Sequence, residues 1–430
     1  MDSCIEKTRE IRFLGPEDVE EYLPIYFNSY PAFKNIGDEG HEIYLKKTLD
    51  TMEKYDDVHF VGLYEDDVLI ATMKIIDFSM NVFGQIKPAA GLMALGVDPL
   101  HKKAGAALEM VKYFERYVEE NKMLLALLLP FRADFYRKMG YGFETRLHQY
   151  HLPMEGLPIC KDVSKLRFLG KEDFEKVFAC YSRAVLKTHG MIEKLGEEKR
   201  DIKQDSESRR VGYFQEEELL GYVTYRCVCD RDDNYTINHL DVSEIIYESP
   251  QVLKSLLGYL RLQQDQAQTV IIRTGEEDFY HILDNPQDVS NNYIDFGYLQ
   301  TNTASIGIMH KIISPSLFIK ETEHRQFPPF ELTLKIEYQE TFAKEENSVC
   351  ISFVKDEKGQ FSRWKVVENK ELNDVVMKCK MGDMASIFMG SCSVSALERM
   401  GAVWISDKSY IKILEQLFHV EQRPWSNTDF

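Results

Sequence analysis

The chain repeats itself, and the repeat constrains its plan more than any other feature. Residues 12–18 read RFLGPED and residues 167–173 read RFLGKED. A helix-like pattern follows each, VEEYLPIYFNSY in one case and FEKVFACYSRAV in the other. Further on, VGLYEDDVLIATM from Val61 matches VGYFQEEELLGYV from Val211. Both pieces read as an alternating strand, a turn of acidic residues and a second strand, the pattern of a hairpin. Two ordered matches at nearly the same spacing imply a duplicated domain rather than one helix-start signal met twice. The first copy spans about residues 1–152 and the second about 160–312, with the Pro-containing LPMEGLPICKD as linker.

After ISPSLFIKETEHRQFPPF the pattern changes. FELTLKIEYQ, from Phe330, alternates apolar and polar as a half-buried strand should, and a hairpin follows around Lys358–Gly359. Two short helices come next, one opening at Asp383 as N-cap and the other ending at Gly401. A last helix starts near Asp407 and buries Ile411, Leu414 and Phe418; the final EQRPWSNTDF is irregular. Residues 318–430 therefore read as an α+β module with its own element order. Three domains suit a chain of 430 residues, at roughly 100–200 residues each.

Lys+Arg is 52 against 70 for Asp+Glu, a net charge of −18. That balance disfavours nucleic acid or an anionic membrane as partner and permits a cationic substrate. The N-terminal MDSCIEKTREIR has no apolar h-region, so no signal peptide is expected. The longest apolar run, MLLALLL near 123–129, is too short to cross a bilayer and reads as a buried strand. None of the eight cysteines forms a CxxC pair, so reduced thiols in a cytoplasmic protein are expected. Cys227 and Cys229 share a strand face without further metal partners, and His148 and His151, three apart in a strand, point to opposite faces. No metal site is expected. The charged run EKLGEEKRDIKQDSESRR, from Glu193, reads as a solvated loop or exposed helix.

The chemistry concentrates in LGVDPLHKKAGAALEMVKYFERYV, from Leu95. An apolar strand runs into Val97; Pro99, Lys102, Lys103 and Gly105 follow. From there Ala107, Val111, Phe114 and Val118 form a helical stripe. A strand thus leads through a small-residue turn into a helix N-terminus, whose free N–H groups and dipole favour an anion. Small residues let a diphosphate approach the backbone, and the lysines add charge beside it; His101 adjoins the same turn. The spacing is that of the GNAT acyl-CoA loop, R/Q-x-x-G-x-G/A, read as Lys102-x-x-Gly105-x-Ala107, with Lys where Arg or Gln is usual. FRADFYRKMGYGF, from Phe131, is similar to the GNAT ending FYxKxGF and puts Tyr136 at its tyrosine, a group protonated at neutral pH and able to donate to a departing thiolate. The second copy reads LDVSEIIYESPQVLKSLLGYL in place of the loop, without the turn glycine or the basic pair, and so reads as a partner that has lost coenzyme binding.

Two acetyltransferase-type domains followed by an α+β module resemble the Eis (enhanced intracellular survival) acetyltransferases, whose third domain resembles sterol carrier proteins. DMASIFMG, from Asp383, looks like that module's helix signature. The resemblance implies an α/β fold with two tandem GNAT-type acyl-CoA N-acyltransferase domains and a sterol carrier-like α+β domain. It implies acetyl-CoA as cosubstrate, held by backbone at Leu95, Gly96 and Val97 and by Lys102, Lys103, Ala104, Gly105, Ala106, Ala107 and Leu108, with Phe131 and Arg132 closing over it. It makes the terminal carboxylate of Phe430 the proton acceptor and Tyr136 the proton donor. It also implies a homo-hexamer acting on a primary amine of a cationic, aminoglycoside- or polyamine-like small molecule; Asp38 and Glu39 in NIGDEGHE are candidates for an acidic pocket. The competing readings are a non-catalytic acyl-CoA- or ligand-binding protein and a protein-lysine acetyltransferase.

Overall fold

The computed structural model describes residues 8–32, 37–160, 162–290, 293–340, 342, 346–368, 373–428 and 430, and divides into two compact units. Unit 1 comprises residues 1–144, 308–423 and Phe430; unit 2 comprises residues 145–307 and 424–429. Neither sequence copy maps onto one unit as a continuous segment.

In chain order, the first stretch contributes β1 (Arg9–Phe13), α1 (Val19–Ser29), α2 (Asp38–Lys54), β2 (Val58–Glu65), β3 (Val68–Val82), β4 (Gln85–Val97), α3 (Ala106–Glu120), β5 (Ala126–Leu128), α4 (Ala133–Lys138) and β6 (Gly142–Phe143). Next come β7 (Arg146–Pro153), β8 (Leu166–Phe168), α5 (Phe174–Lys187), α6 (Gly196–Gln204), β9 (Arg209–Gln215), β10 (Glu218–Cys229), β11 (Asn238–Tyr247), α7 (Pro250–Arg261), β12 (Thr269–Thr274), β13 (Thr303–Ile306) and β14 (Met309–Lys311). The first sheet has the order β1-β2-β3-β4-β5-β14-β6 and the second β13-β7-β12-β11-β10-β9-β8. The expected ranges 1–152 and 160–312 are therefore interleaved by one strand each. β7, from the end of the first copy, lies in unit 2, and β14, from the end of the second, lies in unit 1 between β5 and β6. Local hydrophobic pattern cannot show this, because an alternating strand pairs equally well in either sheet.

The repeated heptapeptide has one structural purpose in both units. In unit 1 the Arg12 guanidinium meets Asp18 at 2.9 Å, and the Asp18 carboxylate accepts the Gly15 N–H at 2.8 Å. In unit 2 Arg167 meets Asp173 at 2.8 Å, and Asp173 accepts the Gly170 N–H at 3.0 Å. The arginine holds each aspartate below its ordinary pKa. Each guanidinium also covers the matched ring of the hairpin, Tyr64 or Phe214. Strand end, helix start and hairpin are thereby tied at one point.

The core of the first sheet is built from Val61, Ile70, Met73 and Ile75 packed on Met110, Val111, Phe114 and Val118 of α3. On α3, Ala106 rather than Ala107 faces this core; Ala107 is half-buried on the side that faces the functional site. Unit 1 also holds the third module: α8 (Pro315–Glu321), β15 (Leu332–Gln339), β16 (Glu346–Lys355), β17 (Ser362–Val366), β18 (Val375–Lys380), α9 (Met381–Phe388), α10 (Val394–Arg399), β19 (Val403–Ile405) and α11 (Ile411–Phe418). Its sheet has the order β17-β16-β15-β18-β19 around Trp364, Phe388 and Phe418. Asp407 caps a 3-10 turn ahead of α11, which buries Leu414, Leu417 and Phe418 but leaves Ile411 half-buried.

Asp383 is not an N-cap. α9 begins two residues earlier, at Met381, and the buried Asp383 carboxylate receives Arg137 at 2.7 Å. The helix signature thus serves as a docking face: Ser386 donates to the Phe143 carbonyl at 2.9 Å, and Gly142 and Gly382 bring two backbones together with no room for a Cβ on either. A methyl group on Gly142 would collide with the Gly382 carbonyl oxygen. Gly142→Ala is therefore expected to destabilise unit 1 by about 1–3 kcal/mol, because backbone cannot step aside as a side chain can. A urea midpoint equal to wild type would show the contact to be dispensable.

In unit 2 the charged run after Glu193 forms α6, but it is not simply solvated. Lys194 is 7% exposed, donating to Glu198 at 2.6 Å and Glu244 at 2.8 Å. Charge counting along a sequence misses such pairs because the second carboxylate comes from a distant strand. No helix among the described residues is long and apolar enough to cross a membrane.

Candidate active site

β4 and β5 run parallel and pair only through Ala90–Leu92 and Ala126–Leu128. β5 then ends while β4 continues to Val97, so a cleft opens at the carboxyl ends of two parallel strands, where ligands enter α/β sheets. A bulge shapes its β4 wall. Gly96 pairs with Thr72 and Met93 with Lys74, which leaves Ala94 and Leu95 opposite Met73 alone. Ala94 adopts a φ of 54°, a left-handed conformation costly for an L-residue. Tyr30 donates to the Leu95 carbonyl at 3.1 Å and Ser29 to the Val97 carbonyl at 3.4 Å, fixing the bulged backbone from the end of α1.

The other wall is the turn into α3. Lys103 has φ 66° and Gly105 φ 88°; Gly105 is the N-cap and no side chain caps the helix. The positive φ is why glycine stands there, and nothing lies within 4 Å of the place a Cβ would take. The first N–H groups of α3 thus face open space beside two exposed lysines, a geometry that suits a diphosphate. His101 is held 3.4 Å from Asp98, at the turn but outside the cavity lining.

Cleft and turn open on one cavity of about 500 Å³. Of the expected coenzyme residues, Leu95, Val97, Lys102, Lys103, Gly105, Ala106, Ala107, Leu108 and Phe131 line it. Three do not. Gly96 serves packing, since a Cβ there would come within 2.6 Å of the Ser29 hydroxyl. Ala104 is exposed on the loop, and Arg132 is 71% exposed and engaged by Asp134 at 2.6 Å and 3.1 Å. Tyr136 and Phe430 both line the cavity, although 294 positions separate them in sequence, by 430 − 136. The Phe430 ring sits 4.5 Å from the Phe78 ring, buried. Ser29, Tyr30, Leu92, Met93 and Phe135 also line the cavity and were not anticipated; a polar pair closing an amphipathic helix is the only hint the sequence offers.

Burial pushes the Tyr136 phenol up to about 12, and burial with the neighbouring Tyr136 does the same for Tyr30. Both are neutral donors at physiological pH. The cavity lining contains Lys102 and Lys103 but, among the described residues, no Asp or Glu side chain. Glu39, in the first turn of α2, is exposed; the Asp38 side chain lies outside the described residues.

Among the described residues of unit 2, the corresponding helix start is closed. Ser249 caps α7 by accepting the Val252 N–H, and Pro250 has no N–H to offer. An anion would meet a helix end already satisfied.

The acetyltransferase (GNAT) domain family matches residues 10–143 and a second acetyltransferase (GNAT) domain family matches residues 184–298; a sterol carrier protein domain matches residues 318–427. A GCN5-related N-acetyltransferase from Anabaena variabilis ATCC 29413 is similar in structure, with a TM-score of 0.77 and 17% identity over 98% of this chain and 100% of that one. A probable N-acyltransferase from Enterococcus faecalis V583 has a TM-score of 0.76 and 17% identity over 99% and 100%. Eis1 from Mycobacterium abscessus has a TM-score of 0.76 and 17% identity over 98% and 100%. No curated protein matches the chain in sequence. The chain carries two acetyltransferase (GNAT) domains ahead of a sterol carrier protein domain, and shares its fold with Eis1.

Proposed function

We propose that the chain transfers the acetyl group of acetyl-CoA to a primary amine of a cationic small molecule, aminoglycoside- or polyamine-like. The observation that carries this reading is the single cavity shared by the uncapped α3 turn, the β4 bulge, Tyr136 and Phe430. Bound there, the coenzyme would supply an acetyl group activated as a thioester. Lys102, Lys103 and the first N–H groups of α3 hold its diphosphate, and Phe131 covers it. Backbone at the β4 bulge faces the thioester carbonyl and stabilises negative charge developing on its oxygen. As the amine nitrogen bonds to the carbonyl carbon and the carbon–sulfur bond breaks, the Phe430 carboxylate takes the amine proton, directly or through water, and the Tyr136 hydroxyl gives its proton to the thiolate. An α-carboxyl group is a weak base in water, with a pKa of about 3.5, and it takes the proton only as the bond to the carbonyl carbon makes the amine nitrogen acidic.

A cationic acceptor is supported by the net charge of −18 and the Eis-like architecture. The seven described cysteines are all free, which suits an enzyme of the cytoplasm, and the same architecture supports a homo-hexamer. Thiol release from acetyl-CoA with a panel of amines, with products weighed by mass spectrometry, tests the substrate class. Release with polyamines or aminoglycosides and none with lysine peptides is the expected result; the reverse pattern would make the chain a protein acetyltransferase. Extending the chain by three residues beyond Phe430 is expected to lower kcat at least about tenfold, the order of a lost general base. An extended enzyme with unchanged kcat rules out the terminal carboxylate.

A further inference from the structure

The second copy retains a GNAT plan without a coenzyme seat, yet it devotes its most expensive buried chemistry to one segment. Residues 424–428 belong to unit 2. The Trp425 N–H donates to the His189 carbonyl at 3.0 Å, and its indole lies against Gly275 so closely that no Cβ would fit. The Ile192 N–H donates to the Ser426 hydroxyl at 3.3 Å. Thr428 is fully buried and stands in an unbroken chain of hydrogen bonds. The Tyr181 hydroxyl lies 3.0 Å from the Thr428 hydroxyl, which donates to Glu198 at 3.2 Å. Lys194 donates to Glu198 and Glu244, and Tyr222 donates to Glu244 at 2.5 Å. Burial opposes the Lys194 ammonium, but Glu244, Tyr181 and Glu198 outweigh it and raise its pKa; burial raises Glu198.

An apolar plug would cover this surface at lower cost, since buried ions lose more in desolvation than they recover in stability. What an ionic, directional chain supplies is register: a slip of the tail by one residue would set the Asp429 carboxylate against Glu198, or the longer Asn427 amide in place of the one hydroxyl that lies within reach of both Tyr181 and Glu198. The place of the cluster agrees. Val61 matches Val211 in the repeat, so Lys74 matches Thr224; Met93, opposite Lys74, lines the cavity of unit 1, whereas Glu244, opposite Thr224, anchors this chain of bonds. The strand position that lines the cavity in one copy holds, in the other, the carboxylate that fixes Lys194 and, through it, Glu198 against the tail.

We propose that the second copy is a clamp for the C-terminal tail, and that Thr428 and Glu198 are positioning residues for Phe430, from which only Asp429 separates Thr428 in the chain. This rests on the reading of Phe430 as proton acceptor. The test compares Thr428→Val, Thr428→Ser and a chain lacking Phe430, each as the full oligomer. Thr428→Val is expected to lower kcat roughly tenfold, the scale of one hydrogen bond to a charged group, with the coenzyme dissociation constant and thermal midpoint unchanged. Thr428→Ser, which keeps the hydroxyl, should restore the rate. Adding Thr428→Val to the chain lacking Phe430 should cost nothing more. Should Thr428→Val fold poorly, Tyr181→Phe removes one bond to the same hydroxyl and keeps the ring. Wild-type kcat in both Thr428→Val and Tyr181→Phe, with the chain lacking Phe430 inactive, overturns the clamp and spares the terminal base. Full activity without Phe430 overturns the base reading itself.

Discussion

Tyr136→Phe is expected to lower kcat by about 10²–10⁴-fold, the range lost with a general acid, and to leave the coenzyme dissociation constant within about twofold of wild type. The argument is one of geometry and charge. The ring is buried among Phe135 and Tyr141 and its place in the cavity lining does not depend on the hydroxyl, so phenylalanine fills the same space. Only the proton is removed, and the thiolate must then leave unprotonated. The pH dependence has a defined sign. Burial raises the phenol to about 12, so the acid form needed for donation persists as pH rises and no basic limb from this group should appear below about pH 10. A wild-type kcat profile that falls between pH 8 and 10, and loses that fall in Tyr136→Phe, would show the phenol ionising earlier than its surroundings allow. Equal turnover by variant and wild type would remove Tyr136 from the reaction altogether.

Ala107→Glu is expected to weaken coenzyme binding at least about 100-fold, read by calorimetry with CoA. Ala107 lies in the first turn of α3 and lines the cavity. A carboxylate there repels a diphosphate and competes for the same N–H groups; two unit charges about 4 Å apart at an effective dielectric near 20 differ by roughly 4 kcal/mol. The same substitution has the opposite sign for the fold, because an acidic side chain in a first helical turn complements the dipole and is worth about 0.3–1 kcal/mol. Lost affinity with an unchanged or raised thermal midpoint is therefore the signature of a coenzyme seat. Ala107→Ser, similar in size and uncharged, should bind nearly as wild type. Tight CoA binding by the glutamate variant would place the diphosphate elsewhere and remove the basis of the proposed reaction.

What could be read from the sequence was what depends on neighbours in the chain. The heptapeptide was visible as a repeat because Arg12 and Asp18 are six residues apart and make the same contacts as Arg167 and Asp173. The turn at Gly105 was legible because small residues and a basic pair stand between an apolar strand and a helical stripe; its left-handed φ was not. Non-local pairing was not legible. Asp383 looked like a helix cap because its partner, Arg137, lies 246 residues away. Lys194 and Glu198 looked solvated because Glu244 and Thr428 close over them from distant segments. Arg132, placed over the coenzyme by resemblance, stands exposed beside Asp134, two residues on, a pairing that the motif does not reveal.

The interleaved strands also bear on how the protein is made. β5 emerges from the ribosome early, but the strand that completes its sheet, Met309–Lys311, is synthesised only at the very end of the second copy. Until then a nascent first lobe exposes an unpaired edge beside β5, the kind of surface that invites aggregation or chaperone capture. The duplicated halves are thus obliged to mature together, and a gene fragment encoding the coenzyme-binding copy by itself should give insoluble product unless a separate peptide carrying residues 308–312 is supplied in trans.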